Sequence, residues 1–428
     1  MLILLVLVFM VFLLCGIPIA YSMGITAVLY IIQDPVVSGM VLAQKVYTAI
    51  DSFSLMAIPF FMFAGDLMNV CGITERLVGF SSSIVGHIRG GLAHTSIVAG
   101  AFMAGISGSG NADATAIGGM MLPMFEKEGY EEGFAVSVVA AAAALGPIIP
   151  PSIIMVIYAN TANLPIGRMF LSGIVPGILI AISYMVYVYF YSKKNGLKGK
   201  ARASLREVAH ATYSALGALV MPLIIIGGIM FGIFTATESG VVASIYAIGY
   251  GIYNKRLTLE AVKKALVSSM MGTAVPVFII GMASIFSYIL TIENMPSLLV
   301  NGLLSISDNR YVVLMLIVAI VTLMGMFIDG TAIVVMLVPI LTSMTQHFGY
   351  DSIYFALIVC LTVIIGGLTP PVGITFYIVS SIRNTPLNKV VPQVWKFAVC
   401  ALIVVLLAIF VPEIIVSIPN YFMGPFNR

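Results

Sequence analysis

Charge-free apolar runs are the feature that most limits what this chain can become. Residues 2–14, 217–234 and 398–412 contain no Asp, Glu, Lys or Arg and nothing more polar than a cysteine. Only 9% of the residues are charged, whereas soluble domains carry about 25%. So few charges cannot cover a water-facing surface, which excludes soluble enzymes, nucleic-acid-binding proteins and disordered chains. A β-barrel would alternate polar and apolar residues in segments of about ten. The runs here do not alternate, and the expectation is an all-α polytopic membrane protein surrounded by lipid. Residues 1–14 have no basic flank and no small-residue cleavage site, so they read as a retained first helix, not a signal peptide. Cys15, Cys71, Cys360 and Cys400 are scattered in or beside apolar stretches, which predicts burial and no disulfide framework.

Matching strings recur at a nearly fixed offset. Gly16-Ile17-x-x-Ala20 with Gly24 matches Gly232-Ile233-x-x-Ala236 with Gly240, 216 positions on. Pro59 and Phe61 match Pro276 and Phe278, and Asp113-x-Thr115-Ala116-Ile117 matches Asp329-x-Thr331-Ala332-Ile333. Pro123 matches Pro339, and Pro150-Pro151 matches Pro370-Pro371 at the slightly longer offset of 220. Five matches in order over most of the chain predict a duplicated unit. The first copy is residues 1–192, a basic linker is 193–212, and the second copy is 213–428.

The linker sets the topology. Lys193, Lys194, Lys198, Lys200, Arg202 and Arg206 precede any acid, which predicts a cytoplasmic loop. Apolar runs 213–234 and 238–253 then lead to a second basic cluster at Lys255, Arg256, Lys263 and Lys264, two crossings later and again inside. In the first copy we expect two short crossings over 2–32, one over 53–70, a re-entrant hairpin over 91–125, a crossing over 131–160 broken at Gly146-Pro147, and a return over 166–192. Five crossings put the N-terminus outside. The two copies then have opposite orientation, the inverted-topology repeat of secondary transporters, each with a re-entrant hairpin and a broken helix. Residues 74–88 and 258–266 read as connectors lying in the membrane plane, or as ordinary amphipathic linkers.

Four interruptions mark the chemistry: Ser107–Asp113, Gly146–Pro151, Gly325–Thr331 and Gly366–Pro371. Lipid tolerates no unsatisfied backbone, so broken helices persist only inside protein or beside a water-filled cavity. Freed carbonyls with Ser, Thr or Asn oxygens suit Na⁺, and half-helix N-termini suit a carboxylate. The first expected cation site uses Ser107, Ser109, Asn111 and carbonyls around Gly146. The second uses carbonyls around Gly325, Gly366 and Thr369, with Thr331 near. Between them, Ser107, Asp113, Pro150, Asp329, Thr331 and Pro370 are expected to border the anion. Packing kinks are the ordinary alternative for such Gly-Pro breaks. Asp113 and Asp329, the duplicated intramembrane acids, would face a cation, cap a helix or carry a proton. Asp66 and Glu238 lack an acidic partner at the offset and rank below them. No Lys or Arg lies within the breaks; Arg168 and Arg383, each just beyond a broken helix, are nearest by sequence. The anion charge would then be met by helix ends, worth about 0.3–2 kcal/mol each, and by bound cations.

Enzyme readings fare worse. Gly105-Ile106-Ser107-Gly108 resembles the GxSG of rhomboid-type proteases, whose serine needs a histidine base, and only His94 lies nearby, 13 residues away. Paired membrane aspartates also occur in intramembrane aspartyl proteases, but in unlike motifs. No Walker GxxxxGK[ST] is present.

The string GISGSGNADATAIGG, the breaks LGPIIPPS and GGLTPPVG, and the stretches GIPIAYSMG and SIVGHIRGGLAH resemble the DctM-like large membrane subunit of tripartite ATP-independent periplasmic (TRAP) transporters. The resemblance covers essentially the whole chain. It implies an elevator-type carrier of the ion-transporter superfamily, with Na⁺-driven uptake of an organic acid across a bacterial inner membrane. It also implies two partners, a small four-helix membrane subunit and a periplasmic substrate-binding protein. Because the chain starts at the first large-subunit helix, the small subunit is expected as a separate polypeptide. The wording of the motifs is nearest the sialic-acid branch, with C4-dicarboxylates and other sugar acids as alternatives. In this scheme the hairpins 91–125 and 310–346 and broken helices 131–160 and 352–383 move together against a scaffold of 2–32, 53–70, 217–253 and 272–291.

Overall fold

The structure is a computed structural model that describes residues 2–33 and 38–426, except for the side chains at 2, 3 and 346. Among the described residues every regular element is helical. The first half runs α1 (Leu2–Leu14), α2 (Ile19–Gln33), α3 (Gly39–Ile50), a 3-10 turn Phe53–Met56, α4 (Ala57–Val70), α5 (Ile73–Val85), α6 (Gly91–Ser107), α7 (Gly110–Lys127), α8 (Glu132–Ala143), α9 (Ile153–Ala162) and α10 (Ile166–Lys194). The second runs α11 (Leu205–Met230), α12 (Ala236–Tyr253), α13 (Leu259–Ile292), α14 (Met295–Leu304), α15 (Arg310–Gly325), α16 (Gly330–Phe348), α17 (Ser352–Leu368), α18 (Ile374–Arg383), α19 (Leu387–Phe410) and α20 (Glu413–Met423). By length and apolarity Phe53–Val70, α10, α11, α13 and α19 could each cross a bilayer alone.

Local chemistry places the breaks. Gly108 takes φ +63°, a left-handed conformation that ends α6, and its N–H bonds back to Ala104 O at 3.3 Å. Ser109 then caps α7 by accepting from Ala112 N–H at 3.5 Å. Ser152 caps α9, accepting from Met155 N–H at 3.2 Å while donating to Pro147 O at 2.6 Å. In the second half Asp329 caps α16, and Gly373 at φ +44° precedes α18. Each tip is tied to a break. Ile153 N–H donates to Gly108 O at 3.3 Å, and Gly373 N–H donates to Met326 O at 3.4 Å. Backbone groups freed by one interruption are therefore met by the other.

The halves interlock. The second arm of each broken helix packs on the hairpin of the other half, α9 on α16 and α18 on α7, while α7 packs on α8 and α15 on α17. Against this body lie α4 and α13, which pack on each other; α4 also packs on α12, and α13 on α2 and α3.

Polar contacts gather one end of the molecule. Lys200 N–H in the linker donates to Gly86 O at 2.8 Å, and its ammonium lies 3.5 Å from Glu128. Arg383 pairs with Glu126 and Lys389 with Glu132, both at 3.0 Å. The linker, the loop before α6, the α7–α8 turn and the α18–α19 turn therefore share one end. At the other end Tyr354 Oη donates to Ile409 O at 2.9 Å, and Tyr350 Oη donates to Arg310 O.

Three expectations change. Residues 258–266 are not a separate connector: they form the first turns of the 34-residue α13, capped by Thr258, with no breaker between Leu259 and Gly272. Residues 39–50 form a helix that no repeat match announces. Cys71 and Cys360 are buried as expected, but Cys15 is exposed and Cys400 only half-buried.

Candidate transport site

A cavity of about 790 Å³ lies where both hairpin tips and both broken helices meet α4 and α13. Gly108–Ala112 and Asp329–Thr331 form its tips, Pro147 and Gly367 come from the breaks, and Met62, Asp66 and Asn69 face them from α4. Gly65 makes this approach possible, because a Cβ there would lie 3.1 Å from Ser107 Cα.

Behind the first tip is a buried carboxyl group. Ser107 Oγ donates to Asp113 Oδ1 at 2.6 Å and accepts from Ser109 N–H at 3.2 Å. Asp113 is fully buried, and its Oδ2 has no hydrogen-bond partner. That oxygen lies against Gly146: a Cβ there would sit 2.6 Å from Oδ2, 3.1 Å from Ala143 O and 3.1 Å from Gly110 N. An acid oxygen left bare at this depth is costly. A proton or a small cation removes the cost. The donors at hand are one carboxylate and backbone oxygens, a set that suits Na⁺. Among the described residues no three His, Cys, Asp or Glu side chains gather as a transition-metal site would need.

Behind the second tip the backbone itself is close. A Cβ on Gly366 would lie 2.7 Å from Gly325 Cα and 2.9 Å from Thr322 O, and one on Gly325 would lie 3.1 Å from Val363 O. Thr369 is buried and donates to Ile365 O at 2.6 Å, leaving its oxygen free to accept. Thr322 and Val363 carbonyls thus converge where two glycines touch.

Of the residues singled out from sequence, Ser109, Asn111, Asp329 and Thr331 line the cavity. Ser107, Asp113, Gly146, Gly325, Gly366 and Thr369 lie behind that lining, and Pro150 and Pro370 do not border it. The two acids are also unlike, although the repeat made them equivalent. Asp329 is exposed and accepts from Thr331 N–H at 2.9 Å as a helix cap, whereas Ser109 takes the cap in the first half and releases Asp113 inward. Neither arginine reaches the cavity: Arg168 donates to Gly424 O at 2.8 Å and Met423 O at 2.5 Å, and Arg383 pairs with Glu126. Ser107 spends its proton on Asp113, and both ring nitrogens of buried His94 lack partners, so no serine–histidine pair forms. Sequence reasoning ranked Asp66 below the duplicated acids. Asp66 lines the cavity together with Ser268 of α13, and its Oδ2 has no hydrogen-bond partner. Its signal was local, with Met62 and Asn69 four residues before and three after it on one helical face.

Residues 6–414 match the family described as the tripartite ATP-independent periplasmic transporter, DctM component. The chain belongs to the DctM family of TRAP transporters. It is 37% identical over 411 residues, 96% of each chain, to the sialic acid TRAP transporter large permease SiaM of Vibrio cholerae. It is 35% identical to the isethionate TRAP transporter permease DctMQ of Oleidesulfovibrio alaskensis, spanning 97% of this chain and 65% of that protein. The fold is shared with the crystal structure of the Alcanivorax borkumensis YdaH transporter, at a TM-score of 0.64 and 14% identity over 90% of this chain and 89% of that one. The protein is therefore a multi-pass large permease of a TRAP transporter, and the cavity is its candidate transport site.

Proposed function

We propose that this permease carries an organic acid into the cell together with Na⁺, taking it from a periplasmic binding protein and working with a small membrane subunit. The observation that carries the reading is the charge of the cavity. Asp66 and Asp329 line it, and among the described residues no Lys or Arg does. An anion 4 Å from a carboxylate meets about 1 kcal/mol of repulsion in water and about 4 kcal/mol near a protein surface. It enters such a site only with cations, and the bare Oδ2 of Asp113 and the Gly325–Gly366 contact are the places for them. Na⁺ at Asp113 would be held by that carboxylate and the oxygens around Gly146, and at the second site by the Thr322, Val363 and Thr369 oxygens. Sialic acid is the preferred substrate because the 37% identical relative is a sialic acid permease. C4-dicarboxylates and other sugar acids are the alternatives.

Inverted repeats and an elevator motion belong to the same reading. The α6–α7 hairpin opens at the end that holds the basic linker, and the α15–α16 hairpin opens at the other. With the linker in the cytoplasm, the N-terminus is periplasmic and the membrane is the bacterial inner membrane. The interlocked hairpins and broken helices, residues 91–162 and 310–383, would move as one body past α4 and α13. A proton-coupled carrier is the second reading, favoured by the same Asp113 oxygen, which would accept a proton as well as a metal ion. Uptake of labelled sialic acid, malate and gluconate into proteoliposomes holding both membrane subunits and the binding protein separates these readings. Transport driven by an imposed Na⁺ gradient supports the proposal. Transport driven only by a pH gradient overturns the coupling ion.

A further inference from the structure

A second polar cavity, of about 530 Å³, lies beyond the contact between α13 and α16. Lys45 and Thr48 of α3 line it, with Asn160 at the end of α9 and Ser284 and Ser287 of α13. Among the described residues it includes one Lys and one Asp, Asp51, where the transport cavity has two Asp and no Lys.

Three helices run from one cavity to the other. On α13, Gly272, Pro276 and Ile279 face the transport cavity, while Ala283 and Ser287, on the same face, line the second. On α16, Thr331 faces the first cavity and Val335 and Pro339, at successive steps of four, face the second. On α9, Ile153 and Ile154 line the first and Asn160 the second. Six to ten residues separate the midpoints of the two sets, about 10–15 Å at a rise of 1.5 Å per residue, although on α13 their nearest members, Ile279 and Ile280, adjoin. The face of α13 is thus one track serving two levels. Lys45 belongs to the track side: Ser284 Oγ donates to Lys45 O at 3.1 Å. Its ammonium rests 4.6 Å from the centre of the Tyr288 ring, and among the described residues it makes no ion pair.

We propose that the second cavity is the outer loading station for the substrate anion, and that Lys45 receives its acidic group. The proposal rests on the elevator reading above. When the body of hairpins rises by that 10–15 Å, its tips leave the level of Asp66 and reach the level of Lys45. The anion then meets a fixed cation on loading and a fixed carboxylate on release, and neither travels with it. A cation–π contact of this kind holds an ammonium in place without neutralising it, so Lys45 remains available to an anion.

Two measurements test this on the assembled transporter. The first is uptake by Lys45→Gln and Lys45→Arg variants. The expected result is a KM about tenfold higher for Lys45→Gln, with kcat and the Na⁺ dependence within about twofold, and near-normal KM for Lys45→Arg. The second uses no transport. The thiol of a Ser284→Cys variant is reacted with methanethiosulfonates of equal size and opposite charge. Near an unpaired ammonium the anionic reagent is favoured, and adding Lys45→Glu should lower the anionic-to-cationic rate ratio about tenfold. An unchanged KM in Lys45→Gln, or an unchanged rate ratio in Lys45→Glu, overturns the role of Lys45. Wild-type protein without Na⁺-driven uptake would instead overturn the transport reading, and the thiol ratio would still decide whether the cavity attracts anions.

Discussion

Gly366 and Gly367 are neighbours that the structure treats in opposite ways. A methyl group on Gly366 would lie 2.7 Å from Gly325 Cα and 2.9 Å from Thr322 O, whereas one on Gly367 would meet nothing within 4 Å. Carbon atoms prefer separations of about 3.5–4.0 Å, so Gly366→Ala must drive α15 and α17 apart by about 1 Å. Overpacking of this kind costs about 1–3 kcal/mol. Gly367→Ala carries no such cost and gains up to about 1 kcal/mol of helix propensity. Thermal unfolding of the purified permease in nanodiscs should therefore separate the pair. With about 2–4 °C per kcal/mol for large domains, Gly366→Ala should melt about 2–12 °C below wild type and Gly367→Ala at or above it. Gly325→Ala should resemble Gly366→Ala, and the double variant should cost less than the two added, since both strain one contact. The same 1 Å displaces the Thr322 and Val363 carbonyls, so Gly366→Ala should also raise the Na⁺ needed for half-maximal uptake. Equal melting temperatures for the 366 and 367 variants would refute the close packing on which the second cation site depends.

Other substitutions probe separate parts of the account. Ser107→Ala removes the 2.6 Å hydrogen bond to Asp113. Losing a bond to a charged buried group costs about 1.5–3 kcal/mol, so the half-saturating Na⁺ concentration should rise at least about tenfold; an unchanged Na⁺ titration would count against Asp113 as a ligand. Asp329→Asn keeps a capping side chain and should melt like wild type, while Asp329→Ala should lose about 1 kcal/mol; equal loss in both would deny the capping role. Arg168→Ala releases the carbonyls of Met423 and Gly424 and should expose the segment after residue 412 to limited proteolysis without changing KM. Arg383→Ala breaks an ion pair of two well-exposed side chains, worth under about 1 kcal/mol, and a tenfold rise in KM there would mean that Arg383, after all, meets the substrate.

The breaks were readable because glycine, proline and capping side chains act locally. Ser109, Ser152 and Asp329 start helices wherever they stand, and Gly108 ends one. The expected range 352–383 accordingly coincides with the outer bounds of α17 and α18. What a repeat offset cannot show is divergence between its copies. Asp113 and Asp329 share a motif, yet Ser109, four residues before Asp113, caps the first helix, whereas its counterpart Gly325 has no side chain to cap with and Asp329 takes that role itself. Residues 39–70 break at Asp51-Ser52, whereas the matching stretch of α13 is continuous, and only tertiary contacts distinguish them. Asp66 ranked low and Lys45 was not singled out for a related reason. Each lies on a single-copy face whose meaning depends on what packs opposite it, Ser107 and the tips for Asp66 and Tyr288 for Lys45.

Na⁺ binding to the permease itself tests the central claim most directly. Thermal stability of the purified protein in nanodiscs can be titrated with NaCl against KCl at constant ionic strength, for wild type and for Asp113→Asn. A cation that binds only the folded protein stabilises it by about 2.7 kcal/mol at one hundred times its dissociation constant. Wild type should show a saturable rise in melting temperature with Na⁺ and none with K⁺, and Asp113→Asn should lose a large part of that rise. Identical Na⁺ and K⁺ curves, or an Asp113→Asn variant that responds as wild type does, would contradict the account.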